Sequence, residues 1–455
     1  MALFRRRWRY PASRDQLGDL TLSHKNPGRP RPPSRGSRGS LRAEPPGTRE
    51  SGMTISFKGY ALIGFAGAIG LAASAAVPTH AQEKGAIKIG LMLPYKGVYA
   101  VPAESIDRGF QIALEEFGNK SNGRPIEIIR ADDELTPSVG VQKFNKFVQS
   151  DKVDLVAGVV GSNVAIAISE LADKNKMPMV FVNAFADEIT GKFCSPYIAR
   201  TSFSANGFEY ASGKYWAGKG VKTAVTMGPD YSAGRAFIGG FKRGFEDNGG
   251  KVIEEIWTPF QKTKDYSAAL TQAANSGAQI IYAFYAGAEA IQVVKQHADF
   301  GLRTKIPFIG DHWVYDEALW PALGDLALNA QHVATHYPSI ETEVNQKFVK
   351  AYNAKYKQDP DVSAALGYDN GKAIMLTLEK LGGQMPEDRA KFIATMRDLT
   401  FDSPRGKIKF NAQNSALLEK VYVVEVVKGP DGKMQRKPLD QFPGAGDLPG
   451  CTKSF

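Results

Sequence analysis

Short β-branched runs alternate with amphipathic helical segments along most of this chain. Residues 87–94 (IKIGLMLP) read as a strand, and a helical period follows over about 100–117. A strand at 126–130 precedes a helix at 137–149 opened by Thr136-Pro137, then come a strand at 153–157, a helix at 162–175 and a strand at 179–182. The alternation restarts at 223–227. It continues through a helix at 232–246, a strand at 252–257, a helix at 266–276, a strand at 279–284, a helix at 288–300 and a strand at 307–309. This order predicts an α/β fold with parallel sheets covered by helices on both faces. Two such runs, split near 202–206, predict two lobes of similar build. The last third differs, with a strand at 332–335, helices at 341–357, 362–381 and 387–398, and a hairpin-like pair at 406–410 and 421–427. That mixture suits a chain recrossing between lobes, which implies a hinge and an interlobe ligand cleft.

The first eighty residues follow another pattern. Residues 53–81 have the form of a secretory signal peptide: Lys58, an apolar core over 60–76, and Thr79-His80-Ala81, which places cleavage before Gln82. The seventeen-residue core lies at the lower edge of a membrane span, so a retained anchor is the alternative. Residues 1–52 hold seven prolines and twelve Lys or Arg against four acids, a composition that cannot bury enough surface to fold. They read as a disordered basic leader, or as sequence upstream of a true start at Met53. Export to the periplasm is the expectation.

Charge follows the same boundary. The whole chain is +10, but from Gln82 onward 44 basic residues face 43 acidic ones. A near-neutral surface argues against a nucleic-acid partner. The 374 residues from Gln82 are too many for one core and suit two domains. Two cysteines, Cys194 and Cys451, are a disulfide candidate in an oxidising compartment and would tie down the C-terminal tail.

Catalytic chemistry is hard to find. No phosphate-binding loop or Gly-x-Ser-x-Gly elbow occurs, and the glycines at 64, 67 and 70 fall in the signal segment. His332 and His336 lie on a strand, too far apart for one metal. Asp132-Asp133-Glu134 reads as a solvated cap. No catalytic residue, cofactor or metal is therefore expected. Recognition features are clearer. Gly158–Asn163 is a small-residue turn opening a helix, suited to a carboxylate or to ordinary capping by Ser162. Gly228-Pro229-Asp230-Tyr231 holds the equivalent place in the second run, and Tyr95 and Tyr99 follow the first strand. Aromatic residues at strand C-termini point to a crevice ligand with an apolar body.

Taken in order, IKIGLMLPYKGVYA, RGFQIALEEF, IEIIRADDE, VDLVAGVVGSNVA, MPMVFVNA, YIARTS, PDYSAGRAF and ALGYDNGKA resemble the periplasmic branched-chain amino-acid (Leu/Ile/Val) binding proteins, the solute-binding subunits of ABC importers. The resemblance covers about 86–428. It implies two Rossmann-like lobes of the type I flytrap fold joined by a three-strand hinge, with lobe 1 over 82–203 and 333–403 and lobe 2 over 204–332 and 404–455. It makes Ser162 the carboxylate-binding serine, Ala184 a backbone contact, Tyr231 the second-lobe tyrosine and Tyr95 to Pro102 the first-strand loop.

Two positions depart from the family's pattern. His312 stands where amino-acid binders place an acid for the ligand ammonium, and Phe185 where they have a hydroxyl, although Asp311 lies adjacent. A buried ammonium without a carboxylate is costly. With Trp313, these residues turn the resemblance toward the subgroup binding aromatic or keto acids. The expected ligand set is Tyr95, Tyr99, Pro102, Ser162, Asn163, Asn183, Ala184, Phe185, Tyr231, His312 and Trp313. The expected ligand is a small carboxylate with an aromatic or 2-keto body, and the expected partners are ABC permease subunits meeting a monomer. A branched-chain amino acid or amide ligand, or a ligand-sensing receptor domain, are the alternatives.

Overall fold

Strand β1 (Ile87–Leu93) is buried along nearly its whole length, as a strand flanked on both sides and covered on both faces must be. In the computed structural model, which describes residues 85–444 with Cys451 and Lys453, it lies inside a six-stranded sheet. The leader and signal-peptide expectations fall outside the described residues. After β1 come α1 (Ala100–Glu116), β2 (Lys120–Ser121), β3 (Arg124–Asp132), α2 (Pro137–Lys146), β4 (Leu155–Gly158), α3 (Ser162–Asn175), β5 (Met179–Phe181) and β6 (Ile198–Arg200). The order across the sheet is β2-β3-β1-β4-β5-β6, parallel except for the β2 edge.

The second run holds α4 (Ala205–Gly218), β7 (Thr223–Pro229), α5 (Ser232–Asp247), β8 (Lys251–Thr258), α6 (Ser267–Asn275), β9 (Ile280–Ala283), α7 (Gly287–Asp299) and β10 (Phe308–Gly310). Its four strands are parallel in the order β10-β9-β7-β8. In the first sheet β1 lies between β3 and β4, and in the second β7 lies between β8 and β9, so the chain moves outward from the first strand in both directions. Each sheet therefore has a topological switch point, between β1 and β4 and between β7 and β9, where loops diverge and leave a crevice.

Helix α4 was not expected from the sequence. Gly207, Gly213 and Gly218 weaken its helical signal, but they serve packing. A Cβ on Gly213 would meet the Phe241 carbonyl oxygen at 2.2 Å, and one on Gly244 the Tyr210 carbonyl oxygen at 2.1 Å, so α4 and α5 lie backbone to backbone.

The remainder comprises α8 (Trp320–Leu323), β11 (Gln331–Ala334), α9 (Glu343–Tyr356), α10 (Val362–Lys380), α11 (Ala390–Arg397), β12 (Thr400–Ser403), β13 (Gly406–Phe410), β14 (Ala416–Leu418), β15 (Lys420–Lys428) and β16 (Met434–Pro443). Here the expected hairpin does not form. β13 pairs with β12 and β14, whereas β15 pairs with β11 and β16. Alternation marked both as strands, but partners are chosen by what each buries. Residues 406–418, expected in the second lobe, run beside the first: Arg200 of β6 donates its N–H to Asn414 at 2.9 Å and bridges Ser415.

A buried ion pair anchors one crossover between the sheets. Arg405 Nε donates to Asp369 Oδ2 on α10 at 2.6 Å, both side chains fully buried, and Arg405 Nη2 donates to the Thr201 carbonyl at 3.1 Å. Cys194 and Cys451 are disulfide-bonded, with Cα atoms 5.7 Å apart, so the tail returns to the first lobe.

Candidate functional site

The two switch points face one pocket. Tyr99 and Pro102 reach it from beyond β1, Val160 from β4, Asn183 and Phe185 from β5, Tyr231 and Ala233 from β7, Phe284 and Ala286 from β9, and Trp313 from β10. Every wall residue thus follows the C-terminal end of a parallel strand, and none of them is charged. The free space is 20 Å³, about one water's worth. A ring-sized ligand requires the lobes to part.

Aromatic contacts shape the walls. Phe185 lies 5.8 Å from Trp313 and 5.5 Å from Phe237, while Tyr231 stacks face to face on Phe260 at 3.8 Å. The Tyr99 and Tyr231 hydroxyls meet at 3.0 Å between the lobes, and burial raises both phenols well above their ordinary range.

The polar end is built by strained backbone. Gly158 (φ 96°) and Val159 (φ 63°) both adopt left-handed conformations, and the β-branched Val159 does so at a cost. This turn starts α3 at Ser162. Ser162 Oγ accepts hydrogen bonds from the Phe185 and Ala186 N–H groups, each at 3.1 Å. Both bonds use its oxygen, leaving its proton to donate. Asn183 Oδ1 is buried and has no protein partner.

The expected ligand residues separate accordingly. Tyr99, Pro102, Asn183, Phe185, Tyr231 and Trp313 come together in the pocket wall, with Ser162 holding the Phe185 backbone. Tyr95 turns away, its hydroxyl donating at 2.8 Å to Asp107, which also pairs with Arg130. Asn163 Nδ2 is spent on the Leu135 carbonyl at 3.1 Å. The Ala184 carbonyl accepts from Ser202 Oγ at 3.2 Å. His312 does not line the pocket: its fully buried ring lies 4.3 Å from Trp313 and 5.0 Å from Phe208. Asp311 is equally buried. Val160, Ala233, Phe284 and Ala286 were missed, though all lie just past strands or opening helices, the signal that identified Tyr99 and Tyr231.

Behind Trp313 lies a second polar group. One ligand atom each from Glu209 on α4, Asp311 and His312 come within 4.8 Å of one another, all buried. Both Glu209 oxygens, Asp311 Oδ2 and both His312 nitrogens lack hydrogen-bond partners, as do the Ser212 and Tyr282 hydroxyls. Burial raises the Glu209 carboxyl to about 8, against the opposing pull of the Tyr282 and Ser212 hydroxyls, which lie close to it but outside full hydrogen-bond geometry. It raises Asp311 far above the carboxylate range and holds His312 neutral.

Two other acids need placing. Asp133, expected in a solvated cap, is fully buried and accepts the Leu135 N–H at 2.9 Å. The turn folds inward under Leu135, and desolvation raises Asp133 to about 7. Glu289, in the first turn of α7, is raised to about 7 by burial, with one oxygen taken by the Gln261 N–H and the other unpartnered. A wider cavity of 1070 Å³ is lined by helix flanks and the β15–β16 hairpin rather than by strand ends. Within its lining Ser105 donates to Asp361 at 2.6 Å and Arg436 pairs with Glu317 at 3.0 Å, while Arg436 Nε and Glu317 Oε1 have no hydrogen-bond partner.

Two parallel α/β lobes closing switch-point crevices on one pocket define a type I periplasmic binding protein fold, and the chain belongs to the periplasmic binding protein family, whose model matches residues 86–432. An ABC-transporter solute-binding protein from R. palustris, solved in complex with benzoate, is 33% identical with a TM-score of 0.76, over 81% of this chain and 100% of that one. Another from R. palustris, in complex with 4-hydroxybenzoate, is 28% identical with a TM-score of 0.75, over 80% and 98%. The Leu/Ile/Val-binding protein homolog 6 of Brucella melitensis is 28% identical over 366 residues, 79% of this chain and 93% of its own length.

Proposed function

We propose that this protein is the exported solute-binding component of an ABC importer, and that its cleft takes a small carboxylate with an aromatic body. The observation that carries this reading is the uncharged, aromatic pocket with hydroxyl and amide groups at one end. With the lobes parted enough to admit it, a planar ring would pack against Phe185, Trp313, Phe284 and Tyr231 by stacking and edge contacts. Its carboxylate meets the Ser162 proton, the Asn183 amide and the positive end of α3. An ammonium would find no acid in the wall, and burying one unpaired is costly. The benzoate complex of the R. palustris relative supports the same ligand class.

The working cycle makes and breaks no covalent bond. Ligand enters the parted cleft and docks on the first lobe, and closure brings Tyr231 and Trp313 over it. Contacts made only in the closed form shift the population toward it, and that form meets the permease. The signal segment at 53–81 supplies the route of export, and the protein acts as a monomer.

Glu289 favours a second reading. Its unpartnered oxygen, close enough to Tyr99 and Tyr231 to influence both hydroxyls, would accept an amino-acid ammonium. Calorimetric titration of the protein from Gln82 onward separates the two, using benzoate, 4-hydroxybenzoate, a 2-keto acid and leucine. Binding of the aromatic acids alone is expected. Leucine binding in preference to benzoate would replace the first reading with the second.

A further inference from the structure

Glu209, Asp311 and His312 have no role in the proposed ligand cycle, yet they converge in the interior of the second lobe. Both Glu209 oxygens, Asp311 Oδ2 and both His312 nitrogens have no hydrogen-bond partner there, while Asp311 Oδ1 accepts the Val314 N–H at 3.2 Å. Buried polar groups in folded proteins are almost always partnered, and several orphaned acceptors at one point mean that something else satisfies them. The buried Tyr282 and Ser212 hydroxyls, from β9 and from the next turn of α4, lie close to the Glu209 carboxyl without reaching full hydrogen-bond geometry. Five side chains from three elements thus face one spot.

We propose that Glu209, Asp311 and His312 bind one divalent transition-metal ion, zinc, inside the second lobe. Charge supports this assignment, because two carboxylates balance a dication and the imidazole adds a neutral nitrogen donor. Geometry does as well. The three ligand atoms lie within 4.8 Å of one another, and zinc–ligand bonds of about 2.0–2.1 Å set donors roughly 3.3 Å apart in a tetrahedron. Small side-chain rotations close that gap, and the Ser212 or Tyr282 oxygen is available as fourth donor.

The ion would join α4 to the loop after β10. Trp313 follows His312 directly, so the metal would also hold a wall of the ligand pocket in place. It acts as a structural tie, and no chemistry on the ligand passes through it.

The test starts with elemental analysis of the full exported protein, purified without chelators or metal-affinity resin. One zinc per chain is expected. The protein is then unfolded with EDTA and refolded with or without zinc, where a melting point lower by about 5 °C or more is expected for the metal-free form. Cobalt refolding should give visible d–d bands that Glu209→Gln abolishes. Metal-free native protein, with the same melting point in zinc and in EDTA, would overturn the proposal and leave protonated carboxyls or buried water at the cluster. Full zinc content in both Glu209→Gln and His312→Ala would overturn it too.

Discussion

The hydroxyls of Tyr99 and Tyr231, 132 residues apart in sequence, meet at 3.0 Å and join the two lobes across the mouth of the pocket. Tyr99 is held by the first sheet's leading strand, and Tyr231 by its stack on Phe260 at 3.8 Å. The contact exists only in a closed molecule. Tyr231→Phe keeps the stack and removes the hydrogen bond, which is worth about 0.5–1.5 kcal/mol net. Affinity for an aromatic acid should fall about two- to ten-fold, and small-angle scattering should report a more open average. Unchanged affinity and dimensions would mean that the contact does not contribute to closure.

Ser162 serves two purposes, and its removal should show both. Ser162→Ala leaves the Phe185 and Ala186 N–H groups without the acceptor they reach at 3.1 Å. Each buried unpaired donor costs about 1–3 kcal/mol, so the melting temperature should drop while the fold persists. Ligand affinity should fall by at least about ten-fold, since a bond to a carboxylate contributes roughly 1.5–3 kcal/mol. A variant that melts lower yet binds normally would restrict Ser162 to a structural role.

Asp133 gives a pH dependence of unusual sign. Its folded-state value is about 7 against 3.8 for the free side chain. The folded protein keeps this proton up to about pH 7, whereas the unfolded chain sheds it near pH 4. Stability from this group is therefore complete below pH 4 and declines as pH rises toward 7, by on the order of 4 kcal/mol at most. Asp133→Asn preserves an acceptor for the Leu135 N–H and cannot ionise. Its melting temperature should exceed that of the unmodified protein at pH 8 and converge with it near pH 4. Parallel pH profiles for the two proteins would refute the buried-acid assignment.

The Arg405–Asp369 pair should behave as a unit. Asp369→Asn strands a buried guanidinium and should cost about 3–5 kcal/mol in denaturant unfolding. Arg405→Met with Asp369→Leu removes both charges and should cost much less than the sum of the single changes. Additive losses would show that the two side chains do not depend on each other.

Strands and long helices were legible because burial imposes a period. β1 and the Ser162–Asn175 helix appear where their periods put them, although Ser162 does not cap the helix: Gly161 holds that place with no side-chain cap, and Ser162 Oγ serves the Phe185 and Ala186 N–H groups instead. Helix α4 was not legible, because close packing against α5 demands glycines that a propensity reading takes for a loop. The pocket was legible in part. Strand-end aromatics identified Tyr99 and Tyr231 but also Tyr95, which turns away, the family resemblance added Phe185 and Trp313, and the strand-end rule applied to 284–286 would have added Phe284 and Ala286. His312 was misplaced because adjacent residues on a loop face different ways: Trp313 turns to the pocket and His312 to the interior.

The order of hydrophobic and polar positions by itself determined the parallel α/β lobes, since strand and helix periods are local and burial enforces them. The cysteine pair could be read from two cysteines in a chain expected to be exported, and the aromatic character of the cleft from residue types at strand ends. Which strands pair in the last third, which way each loop side chain turns, and that Glu209 meets Asp311 and His312 were decided only by the tertiary structure. Those contacts join residues up to a hundred or more positions apart, and no local period encodes them. They arise when two independently patterned segments bury their faces against each other.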